Sequence, residues 1–198
     1  MQRLGMTGRD DPSNGYDAIA DTYIKVRSQS GRAVIADWAT SLPIDASVLD
    51  LGTGYGEPYM PVLLDAGLTV SAIDAAPSMV AAFRKRFPAV EIACEPVEES
   101  RFFGRSFDAV LAIGLIFLLP ETAQQKLISK ISNAVNPKGK FLFSAPVEIG
   151  SWDDVLTHRS SISLGQDAYC TLLGEAGFDL IESLYDDGGS HYYSAVKR

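Results

Sequence analysis

Short runs rich in Val, Leu and Ile recur along the chain, and between them apolar residues fall at helical spacing. Residues 48–51, Val-Leu-Asp-Leu, and 69–73, Thr-Val-Ser-Ala-Ile, read as buried strands, residues 91–93 as a short one, and the apolar run 109–119 as a central strand. Helices are predicted over residues 31–42, around Val62, Leu63, Leu64 and Ala66 with a stop at Gly67, and from Pro77 onward with Met79, Val80, Phe83 and Phe87 on one face. Leu127, Ile131, Ala134 and Val135 form another helical stripe, stopped by Asn-Pro-Lys-Gly. A last helix carries Ala168, Leu172, Leu173 and Ala176 and ends at Gly177. Two further strands, 178–185 and 191–197, are separated by Asp186-Asp187-Gly188-Gly189-Ser190, a turn short enough for an antiparallel pair. Strands alternating with helices predict an α/β fold: a doubly wound sheet of mostly parallel strands with an antiparallel hairpin at the C-terminal end.

The chemistry concentrates where the first strand closes on Gly52-Thr53-Gly54-Tyr55-Gly56. Three alternating glycines exceed what a tight turn needs, and glycine lets backbone approach a bound molecule closely. The helix expected directly after them would present free N–H groups to that molecule. Asp74 ends the second strand, where a carboxylate can accept both hydrogens of a ribose diol, although it can equally cap the helix that starts at Pro77. Dinucleotide loops run G-x-G-x-x-G, whereas this loop runs G-x-G-x-G and puts Glu57 in the place of the third glycine. A carboxylate there repels a pyrophosphate and attracts a sulfonium or ammonium.

These residues resemble the class I S-adenosylmethionine-dependent methyltransferases of the small-molecule type, whose first motif looks like V-L-D-L-G-x-G-x-G and whose second strand ends in an acid. Ser106 to Ala112 looks like that family's fourth strand, Asn136 to Phe143 like its turn into the fifth, and Tyr16 to Tyr23 like a segment folded over the cofactor. The resemblance covers roughly residues 14 to 198 and implies a Rossmann-like fold, S-adenosyl-L-methionine as cofactor and methyl transfer to a small molecule. It carries cofactor-binding roles to Asp50, Gly52, Thr53, Gly54, Gly56, Asp74, Ala75, Met79, Val97 and Ile113. Asp50 would anchor the methionine end or fasten the loop's own amides, and Met79 would line the adenine face or simply fill the core. Tyr55 would shield the methionine moiety. One departure is Pro96, which stands where many members have an acid for the adenine amino group. If that N-terminal segment folds over the glycine loop, Tyr23 or Arg27 would meet the cofactor's carboxylate; the other reading is that Tyr16 and Tyr23 simply pack as its apolar anchors.

Composition fits one domain over residues 15–198, preceded by a loose arm over 1–14 that lacks the apolar stretch of a signal peptide. A net charge of −8 disfavours nucleic acid as a partner, and the cluster Arg84-Lys85-Arg86 reads as a solvated helix face. No apolar run is long enough to span a bilayer. Cys94 and Cys170 suggest neither a disulfide framework nor a metal site, so a reducing cytoplasm and no metal are expected. Residues 146–164 read as a long loop of the lid or binding type. Catalytic candidates are Tyr23, His158 and His191; in-line methyl transfer requires alignment in a dry pocket and needs a base only for a proton-bearing acceptor. Two alternatives remain beside the methyltransferase reading: a cofactor-binding module without turnover, and a nicotinamide-dependent oxidoreductase. Neither the acceptor nor the oligomeric state is written in these motifs.

Overall fold

The computed structural model describes residues 11–198. Five strands, β1 (Ser47–Leu51), β2 (Thr69–Asp74), β3 (Glu91–Cys94), β4 (Phe107–Ala112) and β5 (Val135–Ser144), lie parallel, and β9 (His191–Lys197) joins β5 and β8 (Phe178–Tyr185) antiparallel. The order is β3-β2-β1-β4-β5-β9-β8, with a separate two-stranded sheet of β6 (Ile149–Asp153) and β7 (Ser160–Leu164). Successive strands are added toward one edge from β1 to β3 and toward the other from β4 onward, and this switch between the parallel neighbours β1 and β4 opens a crevice at their carboxyl ends.

Side chains alternate across the central strands and feed two cores. Leu49, Leu51, Val110 and Phe141 pack on the face covered by α5 (Glu121–Ala134) and α6 (Gln166–Glu175). Val48, Val70, Ala109, Leu111 and Leu142 pack on the opposite face, against α2 (Arg32–Thr40) and α3 (Met60–Asp65). The outer strand β8 is exposed from Asp179 to Glu182, and its two charges and a register break at Leu180/Glu182 discourage further strand pairing. A third, smaller cluster joins Ala20, Tyr55, Ala76 and Met79, with Tyr16 and Tyr23 against it. It seats the helix α1 (Ala20–Val26) over the start of α4 (Pro77–Arg86).

Several local expectations are corrected. The helix after the glycines begins only at Met60, because Pro58 disfavours helical backbone at Glu57; the loop itself, not a helix N-terminus, faces the crevice. Pro58 therefore lies ahead of that helix, with Pro61 alone inside its first turn. Val135 opens β5 instead of closing α5. The supposed loop 146–164 contains the β6–β7 hairpin, whose first strand is exposed along its whole length and so lacks the buried alternation that marks a strand in sequence. Of the supposed loose arm, residues 1–10 lie outside the described residues, while Ser13 and Asn14 are buried and the Asp11 carboxylate accepts from the amides of Ser13 and Gly15 at 3.0 and 2.8 Å.

Candidate active site

A cavity of about 450 Å³ opens at the carboxyl ends of β1, β2, β4 and β5. Its floor comprises Gly52, Gly54, Asp74, Ala75, Met79, Val97 and Ile113. Its roof and far wall come from Asn14, Tyr16, Tyr23 and Arg27, from Ser144 to Glu148 with Asp154, and from the turn and strand around Tyr185 to Tyr192. A small side chamber of about 30 Å³ continues past Tyr23, Arg27 and Tyr59 to Asp50, Thr53 and Glu57.

The glycine loop is held from beneath by β2. The amides of Gly52 and Thr53 donate to the Ile73 carbonyl at 2.8 and 3.2 Å, and that of Gly54 to Asp74 Oδ2 at 2.7 Å. Gly54 sits at φ +59°, and a Cβ built on it would meet no atom within 4 Å, so this backbone borders open space that a ligand can fill. Gly56 differs: its Cβ would lie 2.5 Å from Phe87 Cε2, so this glycine serves the packing of α4 and lines neither the cavity nor the chamber. Tyr55 likewise turns into the third cluster, beneath the Arg86 guanidinium, which pairs with Glu57 at 3.6 Å.

Two acids anchor the floor. Asp74 Oδ1 accepts the Ala76 amide at 2.8 Å, so its two oxygens tie the loop to the entry of α4. Helix capping falls to Asp17, whose Oδ1 accepts the Ser78 amide at 2.7 Å. Burial raises the Asp74 pKa against the lowering effect of those two amides. Asp50 is buried and accepts the Thr53 hydroxyl at 2.6 Å; it fastens the loop through that side chain and not through loop amides. Burial pushes its carboxyl up to about 7.

The roof is tied by side chains. Tyr16 Oη donates to Asp154 Oδ2 at 2.9 Å, joining the N-terminal segment to the β6–β7 hairpin above the cavity. Arg27 donates to Tyr59 Oη at 3.0 Å, lies over the rings of Tyr23 and Tyr59, and among the described residues makes no ion pair. Tyr23 borders both spaces, and burial raises its pKa. His191 borders the cavity, but its Nε2 is bonded to Ser183 Oγ at 2.7 Å, its Nδ1 is buried without a partner, and burial lowers its pKa. His158 is exposed in the hairpin turn and does not border the cavity.

Thus Asp74, Ala75, Met79, Val97, Ile113, Gly52 and Gly54 meet at the cavity, Asp50 and Thr53 at the chamber, and Gly56 and His158 at neither. Glu98 also borders the cavity, whereas Pro96 does not. Sequence reasoning missed Tyr59 and Ser144. The latter closes β5 and accepts the Gly114 amide at 2.8 Å, and its place at the carboxyl end of a central strand was the signal available.

The sheet order, parallel strands with an antiparallel pair at one edge, is that of the Rossmann-like methyltransferase fold. A protein family described as a methyltransferase domain matches residues 48–139. The chain is similar to the demethylmenaquinone methyltransferase of Renibacterium salmoninarum, at 28% identity over 144 residues covering 69% of this chain; the match spans 57% of that relative's length. In fold it is similar to a magnesium protoporphyrin IX methyltransferase from Synechocystis PCC 6803 with bound S-adenosylmethionine: TM-score 0.72, 16% identity, 98% of this chain and 100% of that one covered. A second likeness is the 1,6-didemethyltoxoflavin-N1-methyltransferase of Burkholderia thailandensis with bound 1,6-didemethyltoxoflavin and S-adenosylhomocysteine, at TM-score 0.68 and 20% identity, covering 99% of this chain and 93% of that one.

Proposed function

We propose that this chain transfers a methyl group from S-adenosylmethionine to a small molecule. The observation that carries the reading is the floor: backbone at Gly54 with open space above it, beside a carboxylate at the end of β2, in a cavity whose volume fits the roughly 300–1,000 Å³ of small-ligand sites. The residues suit this cofactor. Asp74 accepts from the ribose, and Ala75, Met79, Val97 and Ile113 form an apolar slot for the base. Asp50 and Glu57 border the chamber with Arg27, a set that matches an ammonium and a carboxylate and opposes a pyrophosphate.

The cofactor supplies an electrophilic methyl group on a sulfonium. The chain supplies alignment and exclusion of water, with Tyr16 and Asp154 closing the roof. The acceptor half is lined by Phe117, Leu118, Pro146 and Val147, with Glu148 and Asp154 as its charges, and among the described lining residues its only guanidinium is Arg27 at the chamber end. This lining favours an apolar acceptor without a phosphate or carboxylate, and the chain's net charge of −8 opposes nucleic acid. No helix among the described residues is long and apolar enough to cross a membrane. The free thiols Cys94 and Cys170 fit a reducing setting, and the cytoplasm is the proposed location.

The test is a thermal shift. S-adenosylhomocysteine is expected to raise the melting temperature, because a ligand bound only by the folded state stabilises it, and NADH is expected not to. Stabilisation by NADH alone would overturn the reading in favour of an oxidoreductase. Stabilisation by S-adenosylhomocysteine, with no methylated product from a broad set of apolar acceptors, would leave a cofactor-binding module.

A further inference from the structure

The polar junction around Gly31 has no part in the floor, yet it reaches the cavity. Tyr59, the residue just before α3, donates its hydroxyl to the Ser30 carbonyl at 3.1 Å and accepts from Arg27 Nη2 at 3.0 Å. From the C-terminal hairpin, Tyr192 Oη donates to Asp186 Oδ2 at 2.8 Å. The other oxygen of Asp186 accepts the amides of Gly188 and Ser190 at 2.9 and 2.8 Å, so the turn is fixed around it. Gly31 is the gap in which these groups converge: a Cβ there would lie 3.0 Å from Tyr59 Oη and 3.3 Å from Asp186 Oδ2, and would collide with Tyr192 Oη. Its φ of +82° is also one that side-chain-bearing residues rarely adopt. Three distant parts of the chain therefore meet behind one arginine.

We propose that Tyr59 is a positioning residue for the amino-acid carboxylate of the cofactor, acting through Arg27, and that the Tyr192–Asp186 pair holds it in place from the C-terminal turn. The inference rests on the reading that the cavity takes an adenosyl cofactor. Arg27 has long, costly side-chain freedom, and its guanidinium recognises a carboxylate only when the planar fork is aimed. Tyr59 uses one Nη2 donor, and the rings of Tyr23 and Tyr59, centred 5.8 and 5.3 Å from Arg27 Cζ, confine the rest. The arginine is thereby ordered before the ligand arrives, which lowers the entropy lost on binding. The alternative is that Tyr59 is only a buried filler of the core beside α2, a role that its hydroxyl does not serve.

Two ligands separate these roles: S-adenosylhomocysteine carries the carboxylate, and 5′-methylthioadenosine lacks the whole amino-acid end. In calorimetric titrations of the full chain, Tyr59→Phe should weaken S-adenosylhomocysteine about threefold to tenfold and leave methylthioadenosine unchanged. Tyr192→Phe should give the same pattern with a smaller shift. Arg27→Gln should lose more affinity for S-adenosylhomocysteine than either, and adding Tyr59→Phe to it should cost nothing further. Equal weakening of both ligands, an unchanged S-adenosylhomocysteine affinity in Tyr59→Phe, or an additive double variant would each overturn the proposal while the cofactor reading stands. A parent chain that binds neither ligand would overturn the cofactor reading and this inference with it.

Discussion

The floor and the roof of the cavity are made from chain in different ways. The floor is assembled between residues 52 and 113 from consecutive strand ends, and its key tie, Gly54 to Asp74, joins backbone to a carboxylate only 20 residues away. The roof draws on residues 12–27, 144–154 and 185–192, and its tie from Tyr16 to Asp154 joins two side chains 138 residues apart. A floor set by backbone follows from the parallel sheet itself, so whatever it holds is fixed by the fold. A roof set by side-chain pairs can be changed without disturbing the sheet.

That contrast should appear first at Asp74. Asp74→Ala removes the carboxylate that accepts the part-buried amides of Gly54 and Ala76, and it should cost about 2–6 kcal/mol of stability together with a large loss of S-adenosylhomocysteine affinity, read by denaturant titration and calorimetry. Tyr16→Phe, on the roof, should cost only about 0.5–1.5 kcal/mol, since Asp154 keeps the amides of Leu156 and Thr157. Equal costs at the two positions would erase the distinction.

Asp50 offers a somewhat smaller effect with a pH signature. Burial, the dominant influence, raises its folded-state pKa to about 7, with a minor contribution from Asp74 and partial relief from the Thr53 hydroxyl. The folded chain therefore holds this proton more tightly than the unfolded chain, whose carboxyl titrates near 3.9. Its contribution to stability is full below about pH 4 and is lost as pH rises through about 7. Asp50→Asn should remove that slope and be more stable than the parent by about 2–4 kcal/mol at pH 8, measured without ligand. Parallel stability profiles for parent and variant between pH 4 and pH 8 would show that Asp50 is not the buried proton store of the floor.

The same division governs how much was legible in the sequence. Runs such as Val48-Leu49 and Val110-Leu111 announce central strands because burial on both faces demands unbroken apolar residues, and β8 and β9 fall within the ranges expected from their turn residues. Gly54 and Asp74 were legible for the same reason: each is a strand-end position with a chemical requirement. Gly56 lies against Phe87 and away from the cavity lining, a difference that its place in the motif does not reveal. The β6–β7 hairpin was missed because neither face of β6 is buried. Asp17 and Tyr59 carried no local signal and Asp186 only that of its turn, since their longer-range roles depend on partners brought together only by the finished fold.

The most direct test of a floor built for an adenosyl cofactor is a crystal structure of the full chain with S-adenosylhomocysteine. The account predicts the ribose hydroxyls on Asp74, the base between Met79 and Ile113 above Gly54, and the carboxylate on Arg27. A ligand lying instead between Phe117 and Tyr185, with Asp74 and Gly54 untouched, would contradict it.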